Sequence, residues 1–440
     1  MSLPVRVTVT AKVEAVTPEG DEGPLVEFLR TYRDSVQLVV DRVWDLGQVP
    51  SEKTPHRVFY SRLRGLGFRA HHVSEIYRRA REVVESTKRN GGSKPVLRRL
   101  TARVHPLDYE LDLETRTIKV AVLHDKWVEL KLKWYSYLDR YLDGSWKPGE
   151  ILVSYRYGRF YVYISFRRDV VPREPRAVMG VDLNFRNVTY TVVDLSGNLV
   201  SIGVIPFRGL SRALHLKKLA EGLQRKHPRS WRFLRWARRA RARWLNKARS
   251  ILVDAAHRVS KRLVEVAREY NAVVVFEDLE KIRESGNGGG KISWERPMWC
   301  YRRIQEYAEY KALVEGIRTI YVDPAGTSRR SPNGKKLRFV NYRFVELGDV
   351  ITSRDVVASW NLALRGLKRM RGSRVTWSPD SPRGEAMRTR AKRGNPEAGK
   401  YLQLSTNNRL GETPPLATPP SLTQLLQVTR GLLSFSRLLR

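Results

Sequence analysis

Apolar residues in the first part of the chain recur with two spacings, one typical of strands and one typical of helices. Apolar and polar residues alternate over residues 5–13, 128–134, 151–157 and 159–166, which predicts half-buried strands. Gly158 separates the last two stretches and predicts a hairpin turn there. Between the first two strands, apolar residues recur at helical spacing after Pro24 and again over residues 74–88. The simplest architecture is a β-barrel interrupted by a helical insertion.

The order of predicted elements changes after residues 172–176, where two prolines among charged residues predict a linker. Strands are predicted at 177–183, 188–193 and 199–205, then long helices, and then an apolar strand at 272–276. Three antiparallel strands, a helical crossover and a further apolar strand are the start of the RNase H topology. The predicted fold class is therefore α/β, with an RNase H-like domain after the amino-terminal barrel.

The charge of the chain indicates what kind of molecule it binds. Its 82 Lys and Arg residues against 45 Asp and Glu give a net charge of +37, which exceeds what solubility requires and predicts a polyanionic partner. Apolar runs are too short to span a membrane, so we expect no membrane partner and a cytoplasmic location, associated with the nucleoid in a prokaryote. Cys300 is the only cysteine, which excludes an internal disulfide and a cysteine-rich metal cluster.

The positive charge is densest in the helical crossover. Residues 225–244 contain no Asp or Glu and interleave Arg with Trp. A charged run is usually a solvated helix face. The complete lack of acids favours a helix that follows a phosphate backbone, with Arg and Trp suited to stacking on bases. The candidate nucleic-acid-binding residues are Arg225, Lys226, Arg229, Arg232, Arg235, Arg238, Arg239, Arg241 and Arg243.

Three carboxylates next to apolar runs are the candidate chemistry. Asp182 lies on the first strand of the predicted RNase H sheet, Glu277 ends the strand after the crossover, and Asp355 begins a final helix. Phosphodiester hydrolysis can use two magnesium ions about 4 Å apart, which prefer oxygen ligands. We therefore predict that these three residues are catalytic and bind magnesium. Without cations, their mutual repulsion should raise their pKa values.

Other acids compete with these three for the same role. A lone Asp after a strand is usually a turn or cap residue. The alternatives are Asp194, Asp278, Glu280 and Asp349. Because neighbouring residues of a strand point to opposite faces, only one of Glu277 and Asp278 can face the site.

Four stretches resemble the RuvC-like nucleases of the transposon-encoded TnpB (OrfB) family, which is related to type V CRISPR nucleases. They are the first motif at 180–187; the helix with His257 and Ser260 followed by 272–279; Trp299 with 310–312, 316–317 and 324–328; and Arg354-Asp355 with Ala358 and Asn361. The resemblance implies a transposon-associated, RNA-guided DNA endonuclease. Its partners would be a guide RNA from the transposon end and double-stranded target DNA, and its cofactor magnesium, or manganese in its place.

The resemblance also implies a division of the chain into domains. A wedge-type β-barrel would comprise residues 1–15 and 96–172, around a helical recognition insertion at 16–95. The RuvC-like domain would span 173–370, with the basic crossover at 211–270 and a degenerate zinc-ribbon region at 323–352. Residues 371–440 are expected to be a basic, mostly disordered tail, with a short helix at 422–439.

The chain departs from the family pattern at several positions. The positions that match the ribbon cysteines are Ser331, Gly334, Val345 and Gly348, so no zinc is expected, and Leu337, Phe339, Tyr342 and Phe344 could hold the ribbon by packing. Asn184 replaces a glycine, a mild change because Asn tolerates left-handed backbone. Val357 replaces an asparagine, and loss of that polar neighbour would weaken the orientation of Asp355.

Two alternatives to a guided nuclease stay open on the sequence. One is a cleavage-deficient protein that keeps RNA-guided DNA binding and acts as a repressor. The other is a guide-independent RNase H-like resolvase or transposase. This alternative assigns little function to the amino-terminal region and to the Arg-rich crossover. We predict a competent nuclease because all three acids are present.

Overall fold

A computed structural model describes residues 4–18, 22–46, 53–278 and 300–372. The predicted tail, with its terminal helix, lies outside these residues except at its first two positions, and so do Glu280 and Trp299. The chain packs as two compact units, residues 6–169 and residues 170–372, the latter together with the start of the first strand. No helix in the described ranges is long and apolar enough to cross a membrane.

Within its described residues, the unit formed by residues 6–169 contains a seven-stranded sheet and three α-helices, besides short 3₁₀ helices. Its strands are β1 (Val5–Val16), β2 (Leu100–Val104), β3 (Tyr109–Asp112), β4 (Thr117–Ala121), β5 (Trp127–Lys133), β6 (Lys147–Arg156) and β7 (Arg159–Val170). They are hydrogen-bonded in the order β2-β6-β7-β1-β5-β4-β3. Tyr157 and Gly158 both have positive φ and form the two-residue turn between β6 and β7. Closure of this sheet into a barrel stays a prediction, because β2 and β3 form its edges in that order.

Three helices lie between β1 and β2 in the chain: α1 (Glu22–Asp45), α2 (Lys53–Gly65) and α3 (Ala70–Arg89). Helix α1 buries the predicted stripe that runs from Leu25 to Val43. Helix α3 begins four residues before the predicted start. Helix α2 was not predicted, although Phe59 and Leu63 are buried at the i, i+4 spacing of one helix face.

Fully buried His72 on α3 makes this unit sensitive to acid. Burial lowers the pKa of His72 from 6.5 to about 4, with Arg69 and His71 adding to the effect and Asp108 opposing it. Below pH 6.5 the unfolded chain binds a proton that the folded protein excludes, so stability is lost as pH falls from 6.5 towards 4. We expect His72→Gln to reduce this loss in denaturant unfolding at pH 7 and 5. The exposed His215→Gln should leave it unchanged.

The second unit is built on a five-stranded sheet with the predicted topology. Its strands are β8 (Ala177–Leu183), β9 (Asn187–Asp194), β10 (Leu199–Pro206), β11 (Ala272–Glu277) and β12 (Thr319–Val322), in the order β10-β9-β8-β11-β12. The first three form an antiparallel meander, and β11 is parallel to both β8 and β12. All seven residues of β8 are buried, which explains its nearly continuous apolar sequence.

Helices cover both faces of this sheet. The crossover consists of α4 (Leu210–Lys226) and α5 (Arg235–Glu269), and α6 (Tyr301–Val314) follows β11. Helices α5 and α6 pack on the face that bears Met179 and Phe276. Helix α7 (Arg354–Gly372) packs on the opposite face, against Val178 and Val275.

A small third sheet precedes α7. It consists of β13 (Arg338–Phe339), β14 (Phe344–Leu347) and β15 (Val350–Ser353), paired antiparallel in that order. This sheet coincides with the predicted ribbon region, and we refer to residues 323–353 as the ribbon.

Candidate active site

Asp182 and Glu277 occupy matching positions on neighbouring parallel strands. The register sets Phe276 of β11 opposite Val181 of β8, and the two acids are the next residue on each strand. Adjacent residues in such a register point to the same side of the sheet. Both strands approach their carboxyl ends here, so the two acids lie at one sheet edge, as predicted.

Helix α7 crosses the same face and brings Asp355 to it. A Cβ atom on Gly180 would lie 2.0 Å from the Ser359 carbonyl oxygen and 2.4 Å from the Ala363 nitrogen. Only glycine therefore allows this approach. Ser359 also shares a 2.7 Å hydrogen bond with Thr191 of β9. Asp355, in the first turn of α7, therefore lies on the same face of the sheet as Asp182 and Glu277, which we call the carboxylate face.

The three carboxylates interact electrostatically. Burial, and then the charges of Glu277 and Asp355, hold the pKa of Asp182 well above its usual value. Burial raises the pKa of Glu277 to about 7 against the opposing charge of Arg365, and burial also raises the pKa of Asp355. The predicted direction is confirmed for all three. Burial contributes more than the predicted mutual repulsion, which is resolved only at Asp182.

The roles of several groups at this site were not predicted from the sequence. The Asn184 side-chain amide donates a 2.9 Å hydrogen bond to Oδ2 of Asp182, so the replaced glycine position now contacts the carboxylate directly. The Gln305 amide donates to the Glu277 carbonyl oxygen at 2.8 Å. Arg354 lowers the pKa of Asp182 and Asp355. The spacing of Asn184, two residues after Asp182, was the available sequence signal.

The donor set suits a hard cation. Carboxylate oxygens are the ligands that magnesium prefers, and buried acids with raised pKa values would be stabilised by a bound cation. Within the described residues, however, no three or more His, Cys, Asp or Glu side chains are close enough together to hold one metal ion. The structure thus brings Asp182 and Glu277 side by side and Asp355 within electrostatic range. A shared magnesium site stays a prediction.

Two of the competing acids, Asp194 and Asp349, lie outside the candidate site. Oδ1 of Asp194 accepts hydrogen bonds from the backbone of Ser196 and Asn198, so this residue caps its own turn. Asp349 is exposed in the turn between β14 and β15. Neither has the environment of the three buried acids.

The apolar cluster that holds the ribbon includes one of the four residues predicted for it, Leu337. Leu337, Val345 and Val357 pack together and are almost completely buried. The prediction was wrong for Phe339 and Tyr342, whose exposed fractions are 45% and 68%. The buried face of the ribbon is the one that meets α7 at Val357.

The four positions that match the cysteines have taken on other roles. Val345 is part of the apolar cluster, and Gly334 and Gly348 have positive φ, as tight turns require. The Ser331 hydroxyl is buried and finds no hydrogen-bond partner among the described residues. The expected absence of zinc stays a prediction, and these residues offer no thiolate to the metal.

Val357 faces the ribbon cluster and not the carboxylates, so the idea that its side chain weakens the support of Asp355 loses its basis. We expect Val357→Asn, which restores the polar residue of the family pattern, to lower the free energy of unfolding by about 2 kcal/mol, because it buries an unpaired amide. Ile351→Asn on β15 is the control, since Ile351 is 52% exposed. A neutral Val357→Asn in denaturant unfolding would contradict this placement.

The nine candidate nucleic-acid-binding residues lie at the end of a helical hairpin. Eight of them are exposed. The exception is Arg241, whose guanidinium lies 4.9 Å from the centre of the Trp231 ring. Trp231 therefore has a packing role, whereas Trp236 is 54% exposed. Contact with nucleic acid stays a prediction for all nine.

Comparisons with known proteins agree with this fold. Residues 301–362, from α6 into α7, match the family model described as Cas12f1-like, TNB domain. A TnpB-like protein of Methanocaldococcus jannaschii is 28% identical over 255 residues, covering 56% of this chain and 89% of that protein. The CRISPR-associated endodeoxyribonuclease Cas12f2 of a Micrarchaeota archaeon is 32% identical over 95 residues, covering 21% of this chain and 18% of that protein.

A solved structure extends the likeness to most of the fold. The Cas12f1 chain in a cryo-EM complex with sgRNA and target DNA has a TM-score of 0.58 to this protein, at 12% sequence identity. The match covers 81% of this chain and 99% of that one. Together, the sequence and fold comparisons confirm the resemblance that the motifs predicted.

Proposed function

We propose that this chain, a relative of the TnpB family of RuvC-like nucleases, is a transposon-associated, RNA-guided DNA endonuclease. The observation that carries this proposal is the carboxylate face: Asp182 and Glu277 end adjacent parallel strands, and α7 delivers Asp355 to the same side. Partners would be a guide RNA from the transposon end and double-stranded target DNA.

Each acid has a definable part in hydrolysis. Magnesium ions, or manganese ions, when bound would lower the pKa of an attacking water and neutralise the phosphoryl oxygens. Asp182 and Glu277 would supply oxygen ligands from rigid strands, so the sheet would fix the separation of these ligands. Asp355 approaches from the helix. The Asn184 amide fixes Oδ2 of Asp182 and leaves Oδ1 free to act as a ligand.

The remaining regions fit the same activity. The sheet and helices of residues 6–169 would act as wedge and recognition regions that hold the guide RNA and its heteroduplex with DNA. Base pairing would then read the target sequence, and the protein would read only a short flanking duplex motif. The net charge of +37 suits a protein that binds polyanions such as RNA and DNA.

A single preparation tests this function. The full-length protein is purified with a co-expressed transcript of the transposon end, the bound RNA is sequenced, and a plasmid with a matching target is incubated with and without magnesium. We expect one defined RNA and magnesium-dependent cleavage of the matching plasmid only. A defined RNA with target binding but no product would support the repressor alternative. Cleavage without a defined RNA would support the guide-independent resolvase.

A further inference from the structure

The crossover helices form an arm that extends from the sheet. Helix α5 has 35 residues, and its buried stripe runs from Ala248 to Ala267. Before Ala248, only Ala237 of α5 is buried. This first part of α5 pairs with α4 instead of the sheet, so α4, residues 227–234 and the start of α5 make a helical hairpin, which we call the arm.

The arm leaves the sheet at the edge that holds Asp182 and Glu277, which we call the carboxylate edge. Strand β10 runs in the same direction as β8, because each is antiparallel to β9, so β10 ends at the edge that holds Asp182. Helix α4 starts directly after β10. A Cβ atom on Gly209 would lie 2.8 Å from Ile251, so α5 passes this edge as well. The 17 residues of α4 span roughly 25 Å; its start, with Leu210 and Ala213, packs in the core of the sheet, and the remainder extends from it.

The tip of the arm combines exposed aromatic surface with charge. Phe233 is 82% exposed and Trp236 is 54% exposed. The backbone of the tip forms hydrogen-bonded turns, since the Phe233 and Leu234 nitrogens both donate to the Ser230 carbonyl oxygen and the Trp231 nitrogen donates to that of His227. Residues 222–253 contain eleven Lys and Arg and no Asp or Glu.

We propose that the tip of the arm binds the unpaired DNA strand, with a base stacked on Phe233 and phosphates on the surrounding Arg residues, and leads that strand to the carboxylate edge. Stacking needs a base whose flat face is free, which selects a single strand over a duplex. DNA is favoured over RNA because the arm extends from the edge where the cut strand must lie, a step that rests on the proposed function. The positive charge complements the strand in any sequence.

The test measures binding of the guide-loaded, full-length protein to fluorescent oligonucleotides in EDTA, so that no cleavage occurs. The probes are a single-stranded DNA without complementarity to the guide, its duplex, and an RNA of the same sequence. We expect Phe233→Ala to weaken single-stranded DNA binding roughly tenfold and duplex binding by less than about twofold. Phe233→Trp should retain binding of the single strand.

Salt dependence separates stacking from charge. Phe233→Ala should leave the slope of log Kd against log salt unchanged, whereas Arg229→Ala should reduce it by about 0.7. Phe339→Ala is the matched control, because Phe339 is a 45% exposed phenylalanine on β13 of the ribbon, outside the arm. Its affinity should equal that of the wild type.

Three results would overturn the proposal: an unchanged affinity of Phe233→Ala for single-stranded DNA, an equal loss on the duplex, or a greater loss on RNA than on DNA. Failure of the nuclease function has a different signature, since it appears as absent cleavage with magnesium in the wild type. Binding in EDTA reports on Phe233 in both cases.

Discussion

Asp182→Asn and Glu277→Gln are each expected to lower the rate of target cleavage at least about 10³-fold, with guide and target affinities unchanged. Each substitution removes one ligand charge from the carboxylate face and keeps the size of the side chain. The amide oxygen of Asn at position 182 can still accept the hydrogen bond from Asn184, so the local fold should persist. Single-turnover cleavage of a matching plasmid measures the effect.

The matched control is Asp349→Asn. Asp349 lies six residues before Asp355 but is exposed in the β14–β15 turn, so its loss should leave the cleavage rate within about twofold of the wild type. Melting temperatures measured on the same samples distinguish lost chemistry from lost structure. Wild-type cleavage by Asp182→Asn would refute the proposed site, whatever the control shows.

The second large effect is expected from the smallest change, Gly180→Ala. Its methyl group would overlap backbone atoms of Ser359 and Ala363, which cannot swing away as a flexible side chain can. We expect the free energy of unfolding to fall by about 3 kcal/mol. Cleavage should fall as well, because α7 must lift from the sheet and take Asp355 with it.

Gly222→Ala provides the opposite outcome from the same chemical change. Gly222 lies within α4, and no atom comes within 4 Å of a Cβ atom built on it. Alanine is the better helix former, so this variant should be more stable by roughly 0.5 kcal/mol and should cleave normally. Denaturant unfolding of both variants is the measurement. If Gly180→Ala is as stable as the wild type, α7 does not lie as close to β8 as the structure has it.

The strands and acids of the second unit could be predicted because their signals are local. The apolar runs that end at Asp182 and Glu277 belong to strands buried on both faces, and such strands have few alternatives. Their shared edge followed from topology alone. The closeness of α7 did not, since the clash that makes Gly180 necessary involves residues far away in the chain.

Side-chain roles across α7 were harder to predict. Whether Val357 faces Asp355 or the ribbon depends on how α7 is rotated about its axis, and that rotation is set by packing on Gly180 and on the ribbon together. The pattern of apolar and polar residues along α7 does not distinguish the surface that packs on Gly180 from the surface that packs on the ribbon. Phe339 and Tyr342 give no local signal that they are exposed, because large side chains with apolar rings are usually at least partly buried.

Helix α7 contacts the ribbon on one side and bears Asp355 on another, so it couples the position of the ribbon to that of Asp355. Val357 anchors the helix in the ribbon, and Asp355 projects towards the carboxylates only two residues earlier. Asn361, one turn further on, donates hydrogen bonds to the carbonyl oxygens of Thr327 and Arg330. A helix is stiff over so short a span, so a ribbon shift of about 1 Å would move the Asp355 carboxylate by a similar amount, enough to alter a rate severalfold or more. Any molecule that docks on the ribbon would therefore act directly on nuclease activity, with no hinge in between.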